Sequence, residues 1–353
     1  MVYKVIQFAT GTTGRLALRT LAERADMQLV GLGVTGKGKV GMDAGEIAGG
    51  GMAATGIFAT DDIDALCALD ADVVLHMPLP SWLMRDGPQY DEEVIRRFLA
   101  SGKNVITTVG YTYPKAYGAK AVARLEAACA QGKASLHGTG FNPGFVSDVM
   151  PATLLSMSAR VERVMQQDIS DFSTHPAASF VKGYLGFDAT PEEFAARTAF
   201  RDYSNGLFGE SMMMIADCLG VTTERIENTL ETHVATEDIT IACGTIRKGC
   251  VSAFYSRWQG IVDAKPLIDL RLIYRTRNDQ GAQWGQGKPF VFEIDGRPKF
   301  KVELEHDWIS SGLWGTAGHA VNAIAHVVAA APGIRTFLDL PMIRAAGAVR
   351  KSK

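Results

Sequence analysis

The feature that most constrains the fold lies at the start of the chain. An apolar segment, Tyr3–Phe8, runs into a glycine-containing turn at residues 9–14, and a leucine-rich helical pattern, Arg15–Glu23, follows at once. In such a turn, Gly11 lets the backbone approach a pyrophosphate and Gly14 lets the helix pack on the strand. The unpaired N–H groups of the helix start attract an anion. This order of elements predicts the first strand, turn and helix of a dinucleotide-binding βαβ unit.

The turn departs from the usual glycine pattern at its first position, which is Ala9. A glycine turn between strand and helix is also common in α/β proteins of other kinds, so the pattern needs support from the rest of the chain. On this hypothesis the turn contributes five cofactor contacts, namely Gly11, Thr12, Thr13, Gly14 and Arg15.

Composition restricts the class of protein. The chain has 353 residues, 47% hydrophobic and 21% charged, with a net charge of −2, which is typical of a globular protein of two domains. No basic excess indicates nucleic acid, and no apolar run or leader pattern indicates a membrane. The five cysteines lack paired spacing, which predicts free thiols in the cytoplasm.

Short apolar segments alternate with helical patterns up to residue 145. The expected strands are Lys4–Phe8, Gln28–Gly33, Ala71–His76, Asn104–Thr107 and Ala134–His137, and the expected helices are Arg15–Glu23, Asp62–Ala68, Tyr90–Ser101 and Pro114–Gln131. This alternation predicts an α/β, doubly wound parallel sheet of the Rossmann type over residues 1–145. Ligands of such sheets bind at the carboxyl ends of the strands.

The pattern changes over residues 146–309. Helical segments at Pro191–Asp202 and Gly209–Leu219 precede a series of β-rich stretches joined by hairpin signals: Ile239–Gly244, Gly249–Trp258, Leu267–Thr276, Pro289–Ile294 and Lys299–Leu304. We therefore expect a second, α+β domain with an antiparallel sheet, for binding substrate and for forming a homodimer. A last helical pattern, Gly315–Ala331, predicts that residues 310–353 complete the first domain.

The loop after the second strand bears on the choice of cofactor. An NAD-binding protein usually places an acidic residue here for the ribose hydroxyls, whereas this chain has Thr35, Lys37 and Lys39. A hydroxyl and two ammonium groups suit a 2′-phosphate. The loop therefore favours NADP, with NAD as the alternative. A second alternative, that the two lysines are simply solvated, remains open.

The turns after the next strands supply further candidates. Met77, Thr108 and Gly110 follow the ends of two strands and are expected to face the cofactor. Tyr111, and also Tyr113, could donate a proton or simply pack.

A second glycine-rich turn, residues 138–148, contains Asn142-Pro143-Gly144. Asn142 could orient the nicotinamide amide or a substrate atom, or only stabilise the turn. His137 and His175 fall near the predicted cleft, while His319 and His326 are expected to pack or lie on the surface. No metal-ligand spacing and no hydrolase nucleophile motif is present.

These residues together resemble the dihydrodipicolinate reductase-like oxidoreductases, in particular the branch of 2,4-diaminopentanoate dehydrogenases and native amine dehydrogenases. The resemblance rests on Val5–Arg15, Lys39–Glu46, Ser101–Val105 and Gly138–Pro151, and on two C-terminal blocks, Ala320–Ile324 and Pro332–Pro341. It implies a Rossmann domain and an α+β substrate and dimerisation domain. It also implies hydride transfer between NAD(P)H and a carbonyl or imine. On the same resemblance we assign Asn322 to the cofactor site.

Two departures from the family matter. The amine-dehydrogenase branch carries a catalytic glutamate after the strand that ends at Thr107, where this chain has Val109-Gly110-Tyr111-Thr112. The paired histidines and lysine of dihydrodipicolinate reductases are also absent. The sequence therefore predicts an NAD(P)-dependent oxidoreductase for a small, fairly apolar carbonyl or imine, with Tyr111, Asn142 and His137 as catalytic candidates.

Two alternatives remain open. One is an amine dehydrogenase whose carboxylate has moved to Asp148, Asp168 or Asp171. The other is a catalytically silent NADP-binding sensor or partner-binding module.

Overall fold

A computed structural model describes residues 1–81, 89–305 and 308–349. The chain divides into two compact units, the first formed by residues 1–145 with the segment from Leu313 onward, the second by residues 146–312. Within the described residues no helix is long and apolar enough to cross a membrane.

The first unit contains a seven-stranded parallel sheet. Its strands are β1 (Tyr3–Phe8), β2 (Met27–Gly33), β3 (Ala59–Thr60), β4 (Val73–His76), β5 (Asn104–Thr107), β6 (Ser135–Gly138) and β15 (Gly333–Ile334). The spatial order is β15-β6-β5-β4-β1-β2-β3, so the chain winds outward in both directions from β1 and β4. This arrangement confirms the predicted doubly wound fold.

Helices cover both faces of this sheet. They are α1 (Thr12–Ala22), α2 (Ala44–Ala48), α3 (Ile63–Ala68), α4 (Gln89–Ala100), α5 (Ala119–Gly132) and α9 (Trp308–Val328). One face packs Ile6, Val74 and Val105 against helices α3, α4 and α5. The other packs Val5 and Val73 against α1 and α9. Because alternate strand residues face opposite sides, the adjacent apolar pairs Val5-Ile6 of β1 and Val73-Val74 of β4 contribute to both cores.

The second unit is built on a six-stranded mixed sheet. Its strands are β7 (Arg160–Asp171), β8 (Arg225–Val234), β11 (Val251–Val262), β12 (Lys265–Arg275), β13 (Phe290–Arg297) and β14 (Phe300–Leu304), in the order β14-β13-β7-β12-β11-β8. A separate hairpin pairs β9 (Ile239–Ile241) with β10 (Gly244–Ile246). This confirms the predicted α+β domain with an antiparallel sheet; within it, β7 and β12 form a parallel pair.

One face of the six-stranded sheet carries the core of this unit. Helices α6 (Met150–Leu155), α7 (Pro191–Ala196) and α8 (Thr198–Leu219) accompany it. The Phe208 ring of α8 stacks on Trp258 of β11 at 4.3 Å between centroids, and Met212 lies fully buried opposite Gly260. Such aromatic pairs add about 1 kcal/mol beyond the area that they bury.

Two expectations about element bounds were wrong. The predicted helices Pro191–Asp202 and Gly209–Leu219 have different bounds in the structure, where Arg197 separates α7 from α8. Gly209 lies inside the 22-residue helix α8, because a glycine weakens a helix without ending it when packing holds both sides. Strands β7 and β8 were not predicted. Strand β8 is exposed at most of its positions, so its sequence lacks the alternation that marks a half-buried strand.

Candidate cofactor and active site

The glycine turn takes up a tight conformation between β1 and α1. Ala9 has a left-handed φ of 73°, and Gly11 is the residue before the first helical turn. A Cβ on Gly14 would lie 2.2 Å from the carbonyl oxygen of Ala9. Only glycine at position 14 therefore lets the helix start directly against the turn, which is the role that the sequence predicts for it.

The turn fits a dinucleotide pyrophosphate. No side chain caps the first turn of α1, and that turn contains no acidic residue. A Cβ built on Gly11 would meet no atom of residues 1–81, 89–305 or 308–349 within 4 Å, so these leave the backbone there open to a ligand. Thr12 and Arg15 are exposed beside it. Uncapped N–H groups, an open glycine and a nearby cation are the arrangement that binds phosphate.

The loop after β2 returns to this turn through one lysine. Lys39 Nζ donates to the carbonyl oxygen of Thr10 at 2.9 Å and to its hydroxyl at 3.1 Å. Thr35 and Lys37 are exposed in the same loop. The structure thus brings Lys39 to the turn and leaves the other two residues on the surface nearby.

Backbone hydrogen bonds join the residue after β4 to the end of β1, and the residue after β5 to the end of β4. The Met77 N–H donates to the Phe8 carbonyl at 3.0 Å, and the Thr108 N–H to the His76 carbonyl at 3.1 Å. Met77 is buried and Thr108 half-buried. These residues therefore lie at the carboxyl edge of the sheet, where their strands predict them, and Gly110 follows with a φ of 106°.

His76 was missed by sequence reasoning. It is fully buried at the end of β4, stacked on Phe8, with its Nδ1 2.9 Å from the Thr107 hydroxyl. Burial lowers the pKa of His76 to about 3, so the ring is neutral at physiological pH. A histidine at the end of an otherwise apolar strand was the available signal.

Tyr111 packs into the apolar cluster of the first unit. It is 7% exposed, with a φ of 61°, and its ring lies 5.2 Å from that of Tyr117. The charge of Arg124, on helix α5, acts on it. These contacts direct the ring toward α5 and suit packing better than proton donation to a bound substrate.

The next tyrosine in the same loop has a different environment. Tyr113 precedes the 3₁₀ turn Pro114–Tyr117, and Lys115 Nζ donates to its hydroxyl at 3.0 Å. Sequence reasoning considered Tyr113 and missed Lys115. Lys115 lies beside the Tyr113 phenol because the chain turns at Pro114 between the two residues.

The Asn142 turn is held from one side by helix α9. The Phe141 N–H donates to the Thr316 hydroxyl at 3.2 Å, and the Thr139 hydroxyl lies 2.7 Å from His319 Nδ1. Asn142 is half-buried within this turn. His319 is thus a packing residue as expected, and burial lowers its pKa to about 4.

His137, a catalytic candidate from the sequence, lies inside the first unit. It is fully buried in β6, its Nδ1 lies 2.7 Å from the Arg335 carbonyl, and its ring edge meets Phe337. Burial lowers the pKa of His137 to about 4, so the ring is neutral at physiological pH. A catalytic role for it stays a prediction.

Asn322, assigned to the cofactor site from the sequence, contacts the end of α1 that lies away from the glycine turn. Its side-chain oxygen accepts from Arg24 Nη1 at 3.1 Å, and Arg24 lies beyond the C-terminal end of α1. The glycine turn is at the other end of this 11-residue helix, about 16 Å away at 1.5 Å per residue. Asn322 therefore joins α9 to α1 at the edge opposite the turn.

The second unit holds the three aspartates that could replace the family glutamate. Asp148 and Asp168 are fully buried, and Asp171 is half-buried and accepts from the Ser173 N–H. Asp168 accepts from the Ser170 hydroxyl at 2.7 Å and is bonded to Tyr274. Asp168 is therefore a carboxylate oriented by two hydroxyl groups, in a strand whose neighbours are apolar.

The remaining candidate, His175, lies in the loop after β7. Its ring stacks on Phe180 at 5.0 Å, and its Nδ1 accepts from the Ala177 N–H at 3.2 Å. Burial lowers its pKa. These contacts place it in the aromatic cluster of the second unit. In the part of the chain that the structure describes, no group of three or more His, Cys, Asp or Glu could hold a metal ion.

The doubly wound sheet with a glycine turn after its first strand is the fold of dinucleotide-binding domains. Residues 145–352 match the 2,4-diaminopentanoate dehydrogenase C-terminal domain. The chain belongs to that family, which confirms the resemblance stated from the sequence, and it is an NAD(P)-dependent oxidoreductase.

Individual relatives agree with this assignment. The chain is 28% identical over 359 residues to an amine dehydrogenase of Streptomyces virginiae, covering 97% of each protein. It is 26% identical over 254 residues to the 2,4-diaminopentanoate dehydrogenase of Acetoanaerobium sticklandii, covering 70% of each. The structure of an amine dehydrogenase from Mycobacterium smegmatis superposes with a TM-score of 0.78 over 97% of both chains at 20% identity, which shows a common fold.

Proposed function

We propose that this enzyme transfers hydride between NADP(H) and a small, fairly apolar substrate, either a carbonyl/alcohol or an imine/amine couple. The observation that carries the proposal is the uncapped glycine turn with Lys39 beside it, in a chain of a dehydrogenase family. The bound nicotinamide supplies the hydride chemistry, and the protein supplies orientation and a proton. Relatives named as amine dehydrogenases favour a substrate at the amine or carbonyl oxidation level.

The test is the loss of NADPH absorbance with a panel of small ketones and aldehydes, each with and without ammonium. Consumption without ammonium identifies a carbonyl/alcohol couple, and strict dependence on ammonium identifies an imine/amine couple. NADPH binding without turnover on any substrate would contradict the enzyme hypothesis and favour the sensor or partner-binding module.

The preference for NADP is tested at the loop after β2. We expect Lys37→Glu to weaken NADPH binding by about 10-fold or more while NADH binding changes little, since one charge-assisted contact to a phosphate contributes about 1.5–3 kcal/mol. Lys37 is exposed, so the change spares the Lys39–Thr10 contact. Lys120→Glu, on exposed surface at the start of α5, is the control. Equal losses for NADPH and NADH would show that the loop does not select the phosphate.

The second candidate function is amine dehydrogenation with a relocated carboxylate. It is favoured by Asp168, whose carboxylate is buried and oriented by Ser170 and Tyr274. A carboxylate so held can bind an ammonium group and accept its proton. If it serves this role, Asp168→Asn abolishes the ammonium-dependent reaction and spares carbonyl reduction, whereas Asp171→Asn spares both. Loss of both reactions at an unchanged melting temperature would count against this assignment.

We propose a homodimer as the functional assembly. Strand β8 is exposed at most of its ten positions and leaves one edge of the six-stranded sheet without a neighbouring strand among the described residues. Long open edges favour pairing with another chain. The proposed partner at this edge is a second copy of the chain. Sedimentation of the enzyme at the mass of one chain would contradict the homodimer.

A cytoplasmic location is supported by cysteine chemistry. All five cysteines, Cys67, Cys129, Cys218, Cys243 and Cys250, are free thiols, which suits a reducing compartment. Recovery of the protein from the cytosolic fraction of its cells would support this location, and recovery only from another compartment would contradict it.

A further inference from the structure

The loop after β5 brings a phenol and an ammonium group together at the carboxyl edge of the parallel sheet. Strand β5 ends at Thr107, and the loop then crosses the end of β6, because a Cβ on Gly138 would lie 2.1 Å from the Tyr111 carbonyl carbon. The loop is therefore fixed against two strand ends. Ligands of parallel sheets bind at this edge.

Tyr113 is positioned by the turn that begins there. It is 2% exposed and precedes Pro114, which starts the 3₁₀ turn. Lys115 is exposed, and its Nζ lies 3.0 Å from the Tyr113 hydroxyl and 5.3 Å from the centre of the Tyr113 ring. A buried phenol thus makes a direct hydrogen bond to an ammonium group that reaches solvent.

This pairing changes the chemistry of the phenol. An ammonium donor favours the phenolate over the phenol by charge and by hydrogen bonding, and both effects are stronger away from bulk water. A phenol that loses its proton more readily is a better general acid near neutral pH. Tyr111, in the same loop, makes its ring contact with Tyr117 instead.

We propose that Tyr113 is the proton donor to the substrate heteroatom and that Lys115 is its positioning residue. This rests on the proposed function, and it identifies the group that does the acid–base work in place of the missing family glutamate. Tyr111, the catalytic candidate from the sequence, is assigned to packing.

The step balances in the direction of reduction. The carbonyl carbon gains the hydride of NAD(P)H, and the π pair of the C=O bond moves to oxygen. The Tyr113 O–H bond breaks as its proton forms the new O–H bond of the alcohol. Solvent then returns a proton to the phenolate, while the Lys115 ammonium group keeps its proton and its hydrogen bond to the Tyr113 oxygen. The substrate is reduced, NAD(P)H is oxidised, and one proton is taken from solvent.

The kinetic test compares two tyrosines of one loop. Tyr113→Phe is expected to lower kcat by about 100-fold or more, the usual contribution of a general acid, with NADPH affinity and substrate KM changed by less than about 3-fold. Tyr117→Phe removes the hydroxyl of the half-buried tyrosine in the 3₁₀ turn and is expected to leave kcat nearly unchanged. A Tyr113→Phe enzyme with normal kcat would overturn the proposal, and the wild-type assay shows separately whether the proposed function holds.

A second measurement does not need turnover. In cofactor-free protein labelled with ¹³C at the tyrosine Cζ, the Tyr113 resonance is identified by its loss in Tyr113→Phe. Lys115→Met should move the appearance of the Tyr113 phenolate to higher pH, and Lys115→Arg should restore it. The same two variants should lower and restore kcat. A phenolate signal that is insensitive to Lys115 would exclude its positioning role.

Discussion

Replacing Asp269 by alanine is expected to lower the free energy of unfolding by about 3–5 kcal/mol, the usual cost of removing one partner from a buried ionic network. Asp269 is 1% exposed on β12. It accepts two hydrogen bonds from Arg257 at 2.8 Å each and others from Arg271, the shortest at 2.6 Å. Arg163 lies 3.7 Å away. Without the carboxylate, three guanidinium groups remain close together with no charge between them.

The acid–base behaviour of Asp269 gives this prediction a pH dependence. Burial by itself would raise the pKa of the carboxyl group, but the hydrogen bonds from Arg257 and Arg271 outweigh it, and the pKa is lowered. The folded protein therefore binds this proton less readily than the unfolded chain. Its contribution to stability is present above the ordinary aspartate range near pH 4 and is lost as the pH falls through the lowered pKa.

Urea unfolding of three variants tests this network. Asp269→Ala should be strongly destabilised, and Asp269→Asn should retain the packing and lose the charge. Asp279→Ala removes a similar arginine contact on the exposed surface, to Arg277, and should have a much smaller effect because such pairs are screened by solvent. Equal effects of the Asp269 and Asp279 variants would show that burial does not set the strength of the pair.

Gly14→Ala is expected to weaken dinucleotide binding by about 10–100-fold, the equivalent of one charge-assisted hydrogen bond to phosphate. The added methyl group would lie 2.2 Å from the Ala9 carbonyl oxygen, so the turn must move away from α1. Moving the turn displaces the N–H groups that face the pyrophosphate. The measurement is NADPH fluorescence titration, with the melting temperature of the cofactor-free protein recorded beside it.

Two other glycines separate the possible causes. Gly36→Ala adds a methyl group where no atom lies within 4 Å and should change neither binding nor stability. Gly11→Ala also meets no protein atom, so it should preserve stability and weaken binding only if the pyrophosphate lies there. Normal NADPH affinity in Gly14→Ala would contradict the assigned role of the turn.

The fold of the first unit was predictable because its signals are local. Strands such as Asn104–Thr107, with Val105 and Ile106 at its centre, alternate with helical patterns, so the sequence shows both their type and their parallel order. The second unit was less predictable. Strand β8 is exposed along most of its length and β7 carries polar residues on its core face, at Gln166, Asp168 and Ser170, so neither has the expected pattern.

The residues of the candidate site likewise differ in how far the sequence could predict their positions. The glycine turn was predictable because its role depends on backbone geometry set by adjacent residues. The contact of Asn322 with Arg24 could not be predicted, because a sequence block shows family membership without showing which end of a helix a residue faces. The full burial of His137 could not be predicted either, because a strand residue near the edge can point into either core.

By itself the sequence determined the family, the doubly wound sheet and the glycine turn between β1 and α1, since strand and helix periodicity and the position of a glycine act over a few residues. Tertiary structure alone decided which polar groups meet, including Lys39 with Thr10 and Asp168 with Tyr274. The reason is that a hydrogen bond depends on distances of a few ångströms, and separate parts of the chain reach those distances only when the whole unit packs.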